Sequence, residues 1–397
     1  MTQHLAPHNR VDVALVERTG GTTLALLVDY FLLLPIGVLV ALAWANTAGE
    51  SYFRFAHALR FSVNDIGMAF FVGMIAEEVL EAVMPGGALY RWRRTLLPFV
   101  AAIGGVLGAT AAYLWYLQSI YEFMLLDGWP VAAALDVAFA YFVAKAIFPR
   151  RRGPVAFLLV LAIVSNAIGI VSIAIGFPAA DGYPAALVLL AAAMLLAAWL
   201  RSARSDRIWL YLVTSGTLSW LACYWGGIPP ALALVPIVPF LPHRPRGLDL
   251  FAEARPTAPR RFEHVFRYPV QVVLLFFGLV NGGVVLTGEM PGAWAVLTAA
   301  LIGRPIGILV SVALAMAAGL RLPAHLRWPE LIVVSLAASA GFTFALFFAT
   351  SVMPPGPLLG ELKLGALATA VGAVVALAAA RLLHVGRFTT KPAGRIA

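Results

Sequence analysis

Apolar residues in this chain come in long unbroken runs, and the polar residues fall between them. An apolar run of about 17–25 residues is long enough to cross a bilayer as a helix. Runs close to that length occupy residues 24–44, 61–80, 96–118, 128–148, 154–177, 183–200, 208–223, 226–241, 269–288, 292–316, 329–350 and 361–384. The pattern predicts an all-α polytopic membrane protein of about 12 transmembrane helices. The stretch 208–241 also reads as one long helix interrupted at Gly226-Gly227-Ile228-Pro229-Pro230. Two spans are preferred there, because an even count puts both termini on one side.

The basic residues identify that side. Arg91, Arg93 and Arg94, then Arg150 to Arg152, then Arg201, Arg204 and Arg207 occupy alternate connections, as do Arg321, Arg327 and the 242–268 segment. The termini add Arg10, Arg18, Arg387, Lys391 and Arg395, whereas the opposite connections hold Arg54, Arg60 and Lys363. An excess of Arg and Lys marks cytoplasmic loops, so residues 1–23 and 385–397 are expected in the cytoplasm. The latter reads as a basic, disordered tail. Residues 24–384 form one transmembrane domain, with 242–268 as the cytoplasmic loop between its halves.

Composition agrees. Of 397 residues, 61% are hydrophobic and 12% charged, against roughly 25% charged in soluble domains. The net charge of +9 sits in short clusters between apolar runs. That is where topology determinants sit, so no nucleic-acid partner is expected and the partner is the lipid bilayer. The lone cysteine, Cys223, excludes an intramolecular disulfide and a cysteine zinc site. No cleavable signal peptide is expected at the start. With no Walker loop, dinucleotide fingerprint or metal-type histidine spacing, neither an enzyme nor a cofactor is expected.

An ionisable side chain inside a bilayer is costly and is a functional hypothesis by default. Asp136 falls mid-span in the fourth run, downstream of Gly128 and Pro130. It reads either as an ion- or proton-binding carboxylate or as the cap of an interrupted helix. Arg304 lies in Gly303-Arg304-Pro305 of the tenth run. A guanidinium stays charged at any relevant pH, so it is either the positive charge of a transport site or a fixed structural cation. Asp65 reads as a helix cap at the start of the second span. Glu77, Glu78 and Glu81 form either an interfacial face or an ion funnel. Asp29 has no evident partner, and Lys145 is placed to snorkel. Ser339-Ala340-Gly341-Phe342-Thr343 suits an unwound segment in the eleventh run. Paired interruptions in the two halves of a chain point to a midplane site between inverted repeats.

Ten ordered stretches run through nearly the whole chain. They are Thr19 to Gly21 (TGG), Ala41 to Thr47 (ALAWANT), Ser62 to Glu78 (SVNDIGMAFFVGMIAEE), Leu97 to Gly105 (LPFVAAIGG) and Leu135 to Ala140 (LDVAFA). Arg260 to Phe266 (RRFEHVF), Asn281 to Val284 (NGGV), Ile302 to Ile308 (IGRPIGI), Ala340 to Phe348 (AGFTFALFF) and Leu362 to Gly365 (LKLG) continue the order. In this order they resemble the bacterial NhaA sodium/proton antiporters, and the resemblance implies twelve helices in inverted repeats, with helices 4 and 11 broken and crossing near the midplane. It implies a multi-pass protein of the bacterial cytoplasmic (inner) membrane that exchanges monovalent cations (Na+ or Li+) for protons, and a homodimer. Asp65, Glu78, Glu263 and His264 would belong to the ion pathway or its pH response.

The resemblance also exposes departures. The family's fourth-span aspartate falls on Asp136, which would contact Na+. Its tenth-span lysine falls on Arg304, and its adjacent aspartate pair falls on Ser165-Asn166. Serine and asparagine offer neutral oxygens but do not titrate, and arginine does not release a proton. Three readings remain: cation/proton antiport with altered stoichiometry through Asp136, Ser165 and Asn166; transport of another substrate, such as an anion held at Arg304; or a fold that has lost transport and serves as a sensor or partner.

Overall fold

The computed structural model describes residues 33–84, 92–149, 152–177, 183, 185–205, 207–242, 261–286, 288, 290–322 and 326–389, and regular structure among them is entirely helical. Helix α1 is Leu33–Thr47. Helix α2, Gly49–Arg60, continues through a π turn, Phe61–Gly67, into α3, Met68–Val83. Helix α4 is Trp92–Ser119. A 3-10 turn, Phe123–Gly128, leads to the short α5, Trp129–Ala133, and then to α6, Val137–Ile147. Helices α7, Arg152–Gly176, and α8, Ala185–Ser202, are continuous. Helix α9, Ile208–Tyr211, passes through a π turn, Leu212–Gly216, into α10, Thr217–Trp225.

The second half begins with α11, Arg261–Asn281. Helix α12, Pro291–Thr298, runs through a third π turn, Ala299–Gly303, into α13, Arg304–Ala317. Helices α14, Trp328–Ala337, and α15, Phe342–Val352, form one span bent by 47° at its break. Helices α16, Pro357–Ala368, and α17, Val371–Leu382, complete the described fold. Among the described residues, six helices are long and apolar enough to cross a membrane unaided, or seven with the bent pair, and shorter apolar helices accompany them. The chain is a polytopic membrane protein.

Several expected boundaries shift. The second span starts at Gly49 rather than residue 61, so Asp65 lies in a π turn inside a continuous helix and caps nothing. Residues 226–241, expected as a span, form two 3-10 turns, Pro230–Leu232 and Val238–Phe240, linked by further turns. Pro229, Pro230, Pro236 and Pro239 each remove a helical N–H, which precludes a regular helix. The segment is nonetheless buried through Leu232, Leu234 and Ile237, and it packs against α3. The 242–268 loop already turns helical at Arg261. Asp29, Arg91, Arg150, Arg151 and the TGG stretch lie outside the described residues.

Two apolar cores organise the bundle. One gathers Phe71, Tyr113, Phe277, Phe344 and Phe348; the other gathers Leu97, Ile147, Phe148, Leu161 and Leu331. Lipid gives no hydrophobic drive to bring helices together, so close approach of small residues must hold them. Helices α4 and α13 meet that way. A Cβ on Gly307 would stand 2.1 Å from the carbonyl oxygen of Gly104, and one on Gly108 would stand 2.4 Å from that of Gly303. This contact fixes the depth of Arg304, the residue after Gly303.

The asparagines of the motifs tie α1, α2 and the following π turn to the end of α11. Asn46 Nδ2 donates to the carbonyl of Val284 (2.9 Å), and its Oδ1 accepts from the N–H of Leu286 (3.0 Å). Asn64 and Asn281 exchange amide hydrogen bonds of 3.2 and 2.7 Å. Tyr52 donates its hydroxyl to Val280 (3.0 Å) and accepts from the N–H of Gly283 (2.9 Å). These residues close unpaired main-chain groups where α11 stops, which is work any membrane fold needs done.

Candidate functional site: the crossing of two broken spans

The first broken span unwinds at Ala134–Asp136, between α5 and α6, and the second at Ala338–Gly341, between α14 and α15. Asp136 is an N-cap residue with extended backbone, a position aspartate favours because its carboxylate accepts the helix's first free N–H groups. The two breaks touch. The N–H of Asp136 donates to the carbonyl of Ala340 at 2.8 Å. A Cβ on Gly341 would lie 2.7 Å from the carbonyl oxygen of Ala134, so only glycine lets the two backbones cross this closely.

Four half-helix ends therefore meet between the two cores, and each pair of like ends receives a charge of opposite sign. Asp136, 4% exposed, serves the two N-termini: Oδ1 accepts from the N–H of Phe139 on α6 (2.9 Å), and Oδ2 from the N–H of Thr343 on α15 (3.0 Å). Arg304, 1% exposed, serves the two C-terminal ends: it donates to the carbonyl of Ala132 in α5 (2.9 Å) and to that of Ala338 at the end of α14 (2.8 Å). Helix N-termini carry partial positive charge and C-termini partial negative charge, so both arrangements are attractive. Arg304 thus spends its donors on carbonyls rather than on the Asp136 carboxylate.

Helix α7 brings Asn166, 0% exposed, to the same place, and Ser165, its neighbour in sequence, is 2% exposed. Asn166 Oδ1 accepts from the N–H of Leu135 at 3.3 Å, one residue from Asp136, while its Nδ2 is buried without a partner. The hydroxyl of Ser339, at the second break, is likewise buried and unpartnered. A buried polar group left unsatisfied costs about 1–3 kcal/mol. The crossing therefore keeps unspent hydrogen-bonding capacity.

Most of the remaining sequence candidates fall on other elements. Asp65 is half-buried, and its carbonyl accepts from Trp220 Nε1 at 2.8 Å. Glu77 is buried and Glu78 half-buried on α3. Lys145 is exposed in the last turn of α6, as a snorkelling lysine would be. Glu263 and His264 fall on α11, but their side chains are outside the described structure. Lys363, counted above with a connection, sits half-buried inside α16. Sequence reasoning missed Thr369 altogether. Its hydroxyl donates to Ala366 (2.6 Å) and accepts from the N–H of Gly341 (3.2 Å), so the twelfth span holds the second break. A lone threonine among alanines gives no signal, because it can always bond within its own helix.

Comparison with known proteins converges on one family. The family model described as Na+/H+ antiporter 1 matches residues 29–382. The Na(+)/H(+) antiporter NhaA of Desulfitobacterium hafniense is 39% identical over 380 residues, covering 92% of this chain and 97% of the relative. The Na(+)/H(+) antiporter NhaA 1 of Pelobacter propionicus is 39% identical over 378 residues, covering 92% and 99%. The NhaA of Geobacter metallireducens is 38% identical over 374 residues, covering 91% and 98%.

Proposed function

The chain belongs to the Na+/H+ antiporter 1 family, and from that premise we propose that it exchanges sodium for protons at Asp136, one proton per cation. The observation that carries this reading is the pair of hydrogen bonds from Asp136 to the N-termini of both broken spans. Ser165 Oγ and Asn166 Oδ1 add neutral oxygens for the substrate cation, with lithium as a second substrate. Neither residue titrates. Arg304 keeps its charge throughout the cycle. One carboxylate then alternates between a proton and a cation, and the site carries the same charge in either state.

The same bonds link occupancy to shape. Ionised, Asp136 makes two charge-assisted bonds worth about 1.5–3 kcal/mol each, whereas neutral ones are worth about 0.5–1.5 kcal/mol. Protonation also removes the charge that steadies two helix N-termini, a further 0.3–1 kcal/mol or so at each. A change of roughly 2–5 kcal/mol at the crossing is large enough to move a two-state equilibrium by about one and a half to three and a half powers of ten. Binding and release at Asp136 then favour different arrangements of α6 and α15, which alternating access requires. An anion at Arg304 is the weaker reading, because that guanidinium is buried and hydrogen-bonded to two carbonyls.

Arginine placement supports both termini facing the cytoplasm of the bacterial inner membrane. Family likeness supports a homodimer. The test is proton-gradient collapse in everted vesicles from a host lacking its own sodium/proton exchangers. Sodium- or lithium-dependent collapse is expected for the wild type and not for Asp136→Asn. No collapse by verified, folded wild type between pH 6.5 and 8.5 would remove the antiport reading.

A further inference from the structure

The segment after α17 is built as far as Thr389. Helix α17 closes in a Schellman turn. The N–H of Val385 donates to Ala380 (2.9 Å), that of His384 to Arg381 (3.2 Å), and His384 takes the left-handed conformation at φ 51°. Val385 is 5% exposed in the second core. A 3-10 turn, Gly386–Phe388, follows, with Thr389 Oγ1 donating to Gly386 at 2.7 Å. Gly386 has φ +66°, and a Cβ there would stand 2.2 Å from the carbonyl oxygen of Ile147, the last residue of α6. The expected loose tail is thus packed as far as Thr389, against the half-helix that Asp136 caps at its other end.

This turn gathers charge without neutralising it. The guanidinium carbons of Arg381 and Arg387 lie 5.4 and 4.8 Å from the same Phe388 ring centre. Both side chains are exposed, and among the described residues neither meets a carboxylate. Two like charges held around one ring repel, and an anion reaching both would relieve that. Guanidinium groups suit phosphate oxygens in particular. Beside them Leu382 is 78% exposed and Leu383 40%. Phosphate recognition next to bare apolar surface matches a lipid, whose headgroup and chains need both, and not free phosphate.

We propose that Arg381, Arg387 and Phe388 form a binding site for the headgroup of an anionic phospholipid, with its acyl chains along Leu382 and Leu383. Through the contact of Gly386 with Ile147, the bound lipid steadies α6. The site stands independently of whether Asp136 moves sodium, because its test reads binding alone.

The full-length protein in neutral detergent is melted while phosphatidylglycerol, phosphatidylcholine or inorganic phosphate is titrated in. Phosphatidylglycerol is expected to raise the midpoint, the other two to leave it near the detergent value. The double variant R381Q/R387Q should melt like wild type without lipid and need roughly tenfold more phosphatidylglycerol for the same rise. Phe388→Leu, which changes no charge, should shift the titration in the same direction. The matched double R204Q/R207Q, which removes equal charge from another connection, should shift the titration clearly less than R381Q/R387Q. Equal loss in both doubles would reduce the effect to net charge and overturn the site. So would protection by phosphate alone, or equal protection by phosphatidylcholine.

Discussion

Asp136→Asn changes one oxygen to an NH2 group at the crossing, and its cost follows from the contacts. Asp136 accepts two main-chain hydrogen bonds, at 2.9 and 3.0 Å. Asparagine has one acceptor oxygen. One bond survives as a neutral one, losing about 1–1.5 kcal/mol, and the other N–H faces a second donor, which costs about 1–3 kcal/mol for an unsatisfied buried group. Lost attraction to two helix N-termini adds about 0.3–1 kcal/mol each. Removing a buried charge returns part of its desolvation penalty, leaving a net destabilisation of roughly 2–4 kcal/mol. The assay is thermal unfolding of the purified protein in detergent, with and without sodium. A ligand at a hundred times its Kd stabilises by about 2.7 kcal/mol. The wild type should gain stability with sodium, and the variant should melt lower and gain none. A variant that melts like wild type and retains the sodium increment would refute the assignment of Asp136 to both roles.

Other outcomes follow from neighbouring contacts. Arg304→Lys keeps the charge but not a fork that spans two carbonyls 34 and 172 residues away in sequence; loss of one charged bond should cost about 1.5–3 kcal/mol in a melt. Thr369→Val leaves the Gly341 N–H without its acceptor and should cost about 1–3 kcal/mol, with Thr369→Ser restoring most of it. Gly307→Ala forces α13 away from α4 and should sharply reduce the monodisperse protein recovered by size-exclusion chromatography. Asn166→Asp adds a second titrating group beside Leu135, and its exchange rate in proteoliposomes should become sensitive to membrane potential.

Much of this architecture is legible in the sequence, and the rest is hidden for identifiable reasons. Hydropathy locates most spans because lipid forbids polar runs within them. It fails at 226–241, where an apolar segment is too proline-rich to be helical. The two breaks are legible through Asp136 and through Ser339 to Gly341, which are poor choices for an uninterrupted apolar helix. That the breaks touch, and that Arg304 reaches Ala132 and Ala338, is not legible, because carbonyl acceptors carry no side-chain signal. Ser165 and Asn166 are singled out as candidates only by family likeness, since a buried serine and asparagine in an apolar helix are otherwise unremarked. The turn after α17 is obscured by basic residues that resemble a tail; Gly386 and Phe388 are its sequence trace.

The central claim is that one titrating carboxylate leaves exchange electroneutral. Purified protein in proteoliposomes, driven by a fixed sodium gradient, should acidify or alkalinise the lumen at the same rate whether the membrane potential is clamped by valinomycin and potassium to zero, positive or negative values. The rate should vanish in Asp136→Asn. A wild-type rate that rises with potential of one sign and falls with the other would show more than one proton moving per sodium, and would contradict the account.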